Sequence, residues 1–245
     1  MLKKLLLISG TIMLLAYLLF SSLYMDSYAN KNLICKELQI EIVDPFERHY
    51  LTNNDIINSI ANAGLLPVGK DLSTVSTAAI ENKLKENRLI KQVECYKTVD
   101  GTVRVKVFQR MPILRIFSTK GSYYVDNERE KMPVPANFAA YLPVASGFIE
   151  EEFAKNQLYE FALFLQQDKF WNSQIKQIYV ASNSDIELIP AVGDHHIILG
   201  KIDNYKENLE KLRLFYEKGL NKVGWNKYSV INLKFKGQVV CTKKE

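Results

Sequence analysis

Thr102-Val103-Arg104-Val105-Lys106-Val107-Phe108-Gln109-Arg110-Met111-Pro112-Ile113 is the stretch on which the reading of this chain turns. Val103, Val105 and Val107 alternate with Arg104, Lys106 and Phe108, the period of two expected of a strand with one buried and one solvated face. Just before it, Asp100-Gly101, a dipeptide suited to positive φ, joins this run as a hairpin to another of β character, Ile90 to Val99. Further upstream, Ser76 or Thr77 caps a helix whose Ile80 and Leu84 share one face among Glu81, Lys83, Lys85 and Glu86. Thr52, as N-cap with Asp55 three residues on, opens an earlier helix with Ile56, Ile57, Ile60 and Ala61 at helical spacing, and Gly64 stops it. Leu38, Ile40 and Ile42 alternate with Gln39, Glu41 and Val43 and predict a strand. Strand, helix, helix, strand, strand within about 75 residues is a complete α+β unit, with helices on one face of a three-stranded sheet.

Beyond Arg110-Met111-Pro112 the pattern changes. Short strands are expected around Ile113 to Phe117 and Tyr123 to Val125, followed by a proline-punctuated stretch from Met132 to Pro143. Glu150-Glu151-Glu152 opens a helix to about Lys169 with Leu158, Phe161, Ala162 and Leu165 on its buried face. Three strands follow, near Ile175 to Ala181, Ile186 to Ile189 and His196 to Leu199, with turns at Asn183-Ser184 and Gly193-Asp194. A helix from about Asn204 to Lys222 places Tyr205, Leu209, Leu212, Phe215, Tyr216 and Leu220 at three- to four-residue spacing. The chain closes with a strand from Tyr228 to Phe235, a Lys236-Gly237 turn and a strand from Gln238 to Cys241.

Upstream of all this, Met1 to Lys4 is a short basic segment, and from Leu5 to Met25 only Ser9, Gly10, Thr11, Ser21 and Ser22 interrupt an apolar run. As a helix such a run spans about 32 Å, close to the roughly 30 Å hydrocarbon thickness of a bilayer. Lys3, Lys4 and the free amine precede it, whereas Asp26 and Lys31 cancel after it, so the positive-inside rule puts the N-terminus in the cytoplasm and the remainder outside. The competing reading is a cleaved signal peptide, because Ser27-Tyr28-Ala29 offers small residues at the two positions a signal peptidase inspects. Both readings export the folded part. The 245 residues, 47% hydrophobic and 24% charged with 11 Gly and 7 Pro, have the composition of a folded protein and exclude disorder and collagen. A mean hydropathy of -0.11 excludes a multi-spanning membrane protein. The net charge of +5 is unevenly placed: from Tyr205 onward ten cations stand against four anions.

An enzyme needs a nucleophile with its base, a metal set or a phosphate cradle, and none is signalled. Cys35, Cys95 and Cys241 form no metal-ligand pattern, and their odd number cannot complete a disulfide framework. His195-His196 on a strand would point to opposite faces and could not share a metal, and His49 is remote. Gly193-Asp194 reads as a turn, with no nucleophile elbow beside it, and neither GxGxxG nor GxxxxGK[ST] occurs. Consecutive carboxylates at 150–152 read as a solvated, dipole-complementing turn. No cofactor is expected. What remains is a final strand ending in Lys243-Lys244-Glu245. At a sheet edge its unpaired N–H and C=O groups can accept another chain, and its lysines serve either that purpose or protection against aggregation.

The combination of a tiny basic tail, an apolar anchor, a β-α-α-β-β unit and a mixed α/β domain ending in strands resembles the FtsQ/DivIB family of bacterial cell-division proteins. The β-α-α-β-β unit is similar to that family's POTRA domain. Val107-Phe108-Gln109-Arg110-Met111-Pro112-Ile113 resembles the family's strand ending in an acidic residue or Gln, Arg, any residue and Pro. Tyr123-Tyr124-Val125-Asp126, Met132-Pro133 and Leu142-Pro143 fit its Tyr-Val-Asp followed by prolines. Tyr228 to Phe235 and Gly237-Gln238-Val239-Val240 resemble its last two strands.

The resemblance implies a tail at 1–4, a transmembrane helix at 5–25, a POTRA domain at 35–110 and a C-terminal β domain at 111–245. It implies no enzyme activity but a scaffold of the divisome in the inner membrane at the septum, its bulk periplasmic, holding FtsB-like and FtsL-like coiled-coil proteins and helping to control septal peptidoglycan synthesis. The family receives FtsB by strand addition, which transfers here to Lys234 and Phe235 with Gln238, Val239, Val240, Cys241 and Thr242 as the edge. Lys234 stands where Arg is familiar, so a carboxylate fork becomes a point charge. Phe235 lacks a tyrosine's hydroxyl, Thr242 stands where some members have Trp, and Glu128 to Glu130 lacks the glycine usual after Tyr-Val-Asp. The alternative is another POTRA-bearing protein acting in outer-membrane protein assembly or secretion, against which the lack of alternating barrel strands counts.

Overall fold

A computed structural model of the chain describes residues 10–21, 33–44, 50–135 and 142–244. Of the expected membrane span, residues 10–21 are helical, and the rest of 5–25 lies outside the described residues, as do the tail at 1–4, Ser27-Tyr28-Ala29 and His49. No helix among the described residues is long and apolar enough to cross a membrane. The remainder of the chain is mixed α/β and forms two compact units.

The first unit holds the strand, helix, helix, strand, strand order expected from the valine run. Strand β1 (Glu37–Val43) is followed by helices α1 (Asn53–Asn62) and α2 (Thr77–Lys85) and by strands β2 (Ile90–Lys97) and β3 (Thr102–Gln109). The sheet order is β1-β3-β2, so the valine strand is central. That position buries Val103, Val105 and Val107 completely and leaves Arg104 outside. The Ser76 hydroxyl accepts from the Ala79 N–H and caps α2, whose Ile80 and Leu84 are buried. At the β2–β3 turn Gly101 takes φ 95°, and the Asp100 carboxylate accepts the Thr102 N–H.

The second unit is, among the described residues, a nine-stranded sheet in the order β12-β11-β10-β9-β8-β7-β4-β5-β6. Its strands are β4 (Pro112–Ser118), β5 (Gly121–Asp126), β6 (Lys131–Met132), β7 (Val144–Gly147), β8 (Ile175–Val180), β9 (Ile186–Pro190), β10 (His196–Gly200), β11 (Tyr228–Asn232) and β12 (Val240–Lys243). The pairs β4–β7, β7–β8 and β10–β11 are parallel and the others antiparallel. Helices α3 (Glu151–Lys155), α4 (Gln157–Gln167) and α5 (Lys169–Gln174) lie in the connection from β7 to β8, and α6 (Tyr205–Phe215) in that from β10 to β11. Strand pairing lines up one apolar row through eight strands: Tyr123, Ile116, Ala145, Ile178, Leu188, Ile197, Ile231 and Cys241. Seven of these are buried in the core, and only Cys241, at the end, is half-buried.

In the second unit two helices and the strand β7 depart from the sequence reading. The helix expected from 150 to 169 is broken at Asn156 and again at Asp168. There the carboxylate accepts the N–H groups of Phe170 and Trp171 and so starts α5 afresh. Strand β7 has no counterpart among the expected elements, because four residues after a proline show no alternation to read. The helix expected to run to Lys222 leaves α-geometry at Tyr216, where a π-turn runs to Leu220.

Candidate protein-binding edge

Strand β12 ends the nine-stranded sheet, so one of its sides pairs with β11 and the other faces no strand among the described residues. Its register sets Tyr228 against Lys243, Val230 against Thr242, Ile231 against Cys241 and Asn232 against Val240, with an irregularity between Tyr228 and Val230. Past the strand, the Lys244 N–H donates to the Lys227 carbonyl and its ammonium meets Asp194 at 3.0 Å.

The residues expected to form the site are brought to one corner but do not all lie on the strand. Val240, Cys241 and Thr242 are in β12, and Lys243, outside the expected set of contact residues, completes it. Gln238 and Val239 fall in the preceding turn, where the Gln238 N–H reaches back to the Phe235 carbonyl. The expected strand from Tyr228 stops at Asn232 instead of Phe235. The Asn232 carboxamide there accepts the Lys234 N–H and diverts the backbone from the ladder. Val239 and Cys241 lean on the core, whereas Phe235 and Val240 are 51% and 44% exposed. Lys236 and Lys243 are exposed and make no ion pair among the described residues.

Lys234 has an internal partner. Its Nζ lies 2.8 Å from Asp185 Oδ2, while Lys201 Nζ lies 3.3 Å from Asp185 Oδ1. The Asp185 side chain is only 10% exposed and also accepts from the Asn183 amide at 3.1 Å. The Lys234 hydrogen bond holds the Asp185 carboxyl below its ordinary value, with Lys201 adding to the effect against the opposing pull of burial. The Lys234 stem crosses Gly200, where φ is 84° and an added Cβ would sit 2.8 Å from Lys234 Cγ. Glycine is needed there for both reasons. Lys211 donates to the carbonyls of Leu233 and Phe235 at 3.0 and 2.9 Å, tying the same turn to α6. Sequence reading missed Asp185, Lys201 and Lys211; the only local signal was the Asn183-Ser184 turn.

The other end of the sheet is built differently. Asp126, buried to 1%, accepts the N–H groups of Glu128 and Glu130 on Oδ1 and meets Arg110 Nη1 at 2.6 Å on Oδ2. The Gln-Arg-x-Pro and Tyr-Val-Asp motifs are therefore two halves of one latch. Arg129, in the turn after Tyr-Val-Asp, has φ 65°; it is paired with Glu160 and stacks 4.9 Å from the Tyr159 ring.

His195 is buried with its Nε2 2.9 Å from the Tyr216 hydroxyl, and His196 is exposed, so the two side chains do not converge. Burial pushes the His195 imidazole below its ordinary value. Glu150 and Glu151 pair with Lys120 and Lys131 on the surface. The three cysteines are free.

A family model described as FtsQ/DivIB, C-terminal related, matches residues 111–242, and one described as a POTRA-like domain matches residues 33–108. No curated protein matches the chain. The first match alone spans more than half of the sequence, and with the POTRA-like match before it the chain belongs to the FtsQ/DivIB family of cell-division proteins.

Proposed function

We propose that this protein is a non-enzymatic scaffold of the division machinery, anchored in the inner membrane by residues 5–25 with its N-terminus cytoplasmic and its bulk periplasmic. It captures an FtsB-like partner, together with an FtsL-like one, by strand addition at β12, and so helps to control septal peptidoglycan synthesis. The observation that carries this reading is the outer side of β12, which faces no strand among the described residues, in a sheet whose opposite edge strand, β6, is only two residues long. Backbone hydrogen bonds along that side supply affinity, and the surrounding lysines attract an acidic partner segment and speed its encounter.

The test is copurification of the full chain with the FtsB-like protein of the same organism, repeated with Cys241→Pro and Thr242→Pro. Adjacent strand residues turn their N–H groups to opposite sides, so one proline removes a donor facing β11 and the other a donor facing outward. The outward one abolishes capture while the domain stays folded. Capture unaffected by either proline would rule strand addition out. A fluorescent fusion that stays evenly distributed through the envelope of dividing cells would rule out the septal role.

A further inference from the structure

The expected partner contact, Lys234, carries an ammonium already engaged inside the protein. Asp185 sits in the turn between β8 and β9, Gly200 ends β10, and Lys234 follows β11, so one side chain bridges three consecutive strand ends. Lys211 fixes the carbonyls on both sides of Lys234. The segment from Leu233 to Val239 is the only covalent link between β11 and β12. We propose that Asp185 is a positioning residue for the partner-binding edge: by holding Lys234 across Gly200 it fixes the turn that delivers β12 and directs the remaining ammonium donors outward. This rests on the strand-addition reading and makes a demand that charge attraction alone does not. Lysine has three donors, and only one is committed to Asp185 Oδ2. Neutralising Asp185 makes the corner more positive, which would strengthen capture of an acidic partner if net charge governed it. If position governs it, the same change weakens capture.

The experiment uses the full chain in detergent with the cognate FtsB-like protein as probe, measuring Kd for wild type, Asp185→Asn, Lys234→Met and the double variant, with melting curves for each. Methionine keeps an unbranched stem over Gly200 while removing the ammonium. Each single variant is expected to weaken binding about tenfold, the scale of one hydrogen bond to a charged group. The double variant is expected to bind no worse than the weaker single one, because Asp185 acts through Lys234. A merely structural role for Asp185, exerted through Lys201 or its own turn, would persist in the Lys234→Met background. Unchanged or tighter binding by D185N, or losses that multiply in the double variant, overturns the proposal. Should D185N fail to fold, K234M decides: a folded K234M with wild-type affinity overturns it. If wild type itself captures nothing, the strand-addition reading falls and this inference with it; if wild type binds and D185N binds equally, only this inference falls.

Discussion

The two edges of the nine-stranded sheet solve the same problem in opposite ways. At one end β6 is two residues long, its Met132 is fully buried, and Lys131 is drawn aside by Glu151 at 3.0 Å and by the Tyr123 ring at 4.6 Å. A short edge strand with an occupied charge offers little for another chain to pair with. At the other end β12 presents four residues, among them an exposed Val240, and Lys243 on the strand and Lys236 in the turn before it make no ion pair among the described residues. The difference is therefore local: both terminal strands lack a described neighbour on their outer side, but β6 offers two residues there and β12 four, at the end of a continuous core row.

A proline on each edge strand separates the two designs most strongly. On β12 the outward-facing position is expected to cut partner capture by more than about tenfold, since a removed donor also perturbs its neighbours. Lys131→Pro at β6 is expected to leave capture intact. Equal losses from both would mean that proline acts on the whole sheet and not on an edge. Next in size is Asp126→Ala, which strips the β5–β6 end of the sheet of its latch and strands the partly buried Arg110. It is expected to lower unfolding stability by about 3 kcal/mol, read from denaturant midpoints, with capture by the remaining folded fraction unchanged. Smaller still is the Arg129 pair. Alanine keeps the strain of φ 65° and loses the Glu160 and Tyr159 contacts, for an expected loss of about 1 kcal/mol. Glycine loses the same contacts but removes the strain, also worth about 1 kcal/mol, so it is expected to be close to neutral.

The weakest contrast is a slope against pH. The folded pKa of His195 lies below its unfolded value near 6.5, so between the two the unfolded chain binds more protons. Stability is therefore complete above about pH 6.5 and falls as pH drops toward the folded value. Melting temperatures from pH 7.5 to 5 are expected to decline more steeply for wild type than for His195→Gln. Parallel curves would show that this ring does not titrate on unfolding.

The first unit is almost wholly legible in the sequence, because period-two and helical patterns decide its elements and each is bounded by a cap or a turn residue. The valine strand is the clearest case: a central strand with one buried face writes its burial directly into alternation. The second unit is legible where strands alternate and illegible where pairing makes the strand. Strand β7 becomes regular only between β4 and β8, and nothing in Val144-Ala145-Ser146-Gly147 encodes that position. For the site, the edge location follows from a terminal β run ending in lysines. The strand's start does not, since it depends on the Asn232 side chain competing for a backbone N–H. Nor can local pattern reveal that Lys234 meets an aspartate 49 residues earlier, a contact created by tertiary folding.

The apolar row that crosses eight strands ends in a thiol, and that ending has a practical use. Cys35 and Cys95 are buried, and burial together with Glu81 pushes the Cys95 thiol up to about 11, so neither reacts readily. Cys241 is half-buried on the open strand, its thiol raised by the same cause but within reach of solvent. A strand laid beside β12 would cover it. Under the proposed strand addition, the rate at which this one native sulfur takes up a maleimide, with and without the division partner, would read the state of the edge in an unmodified chain.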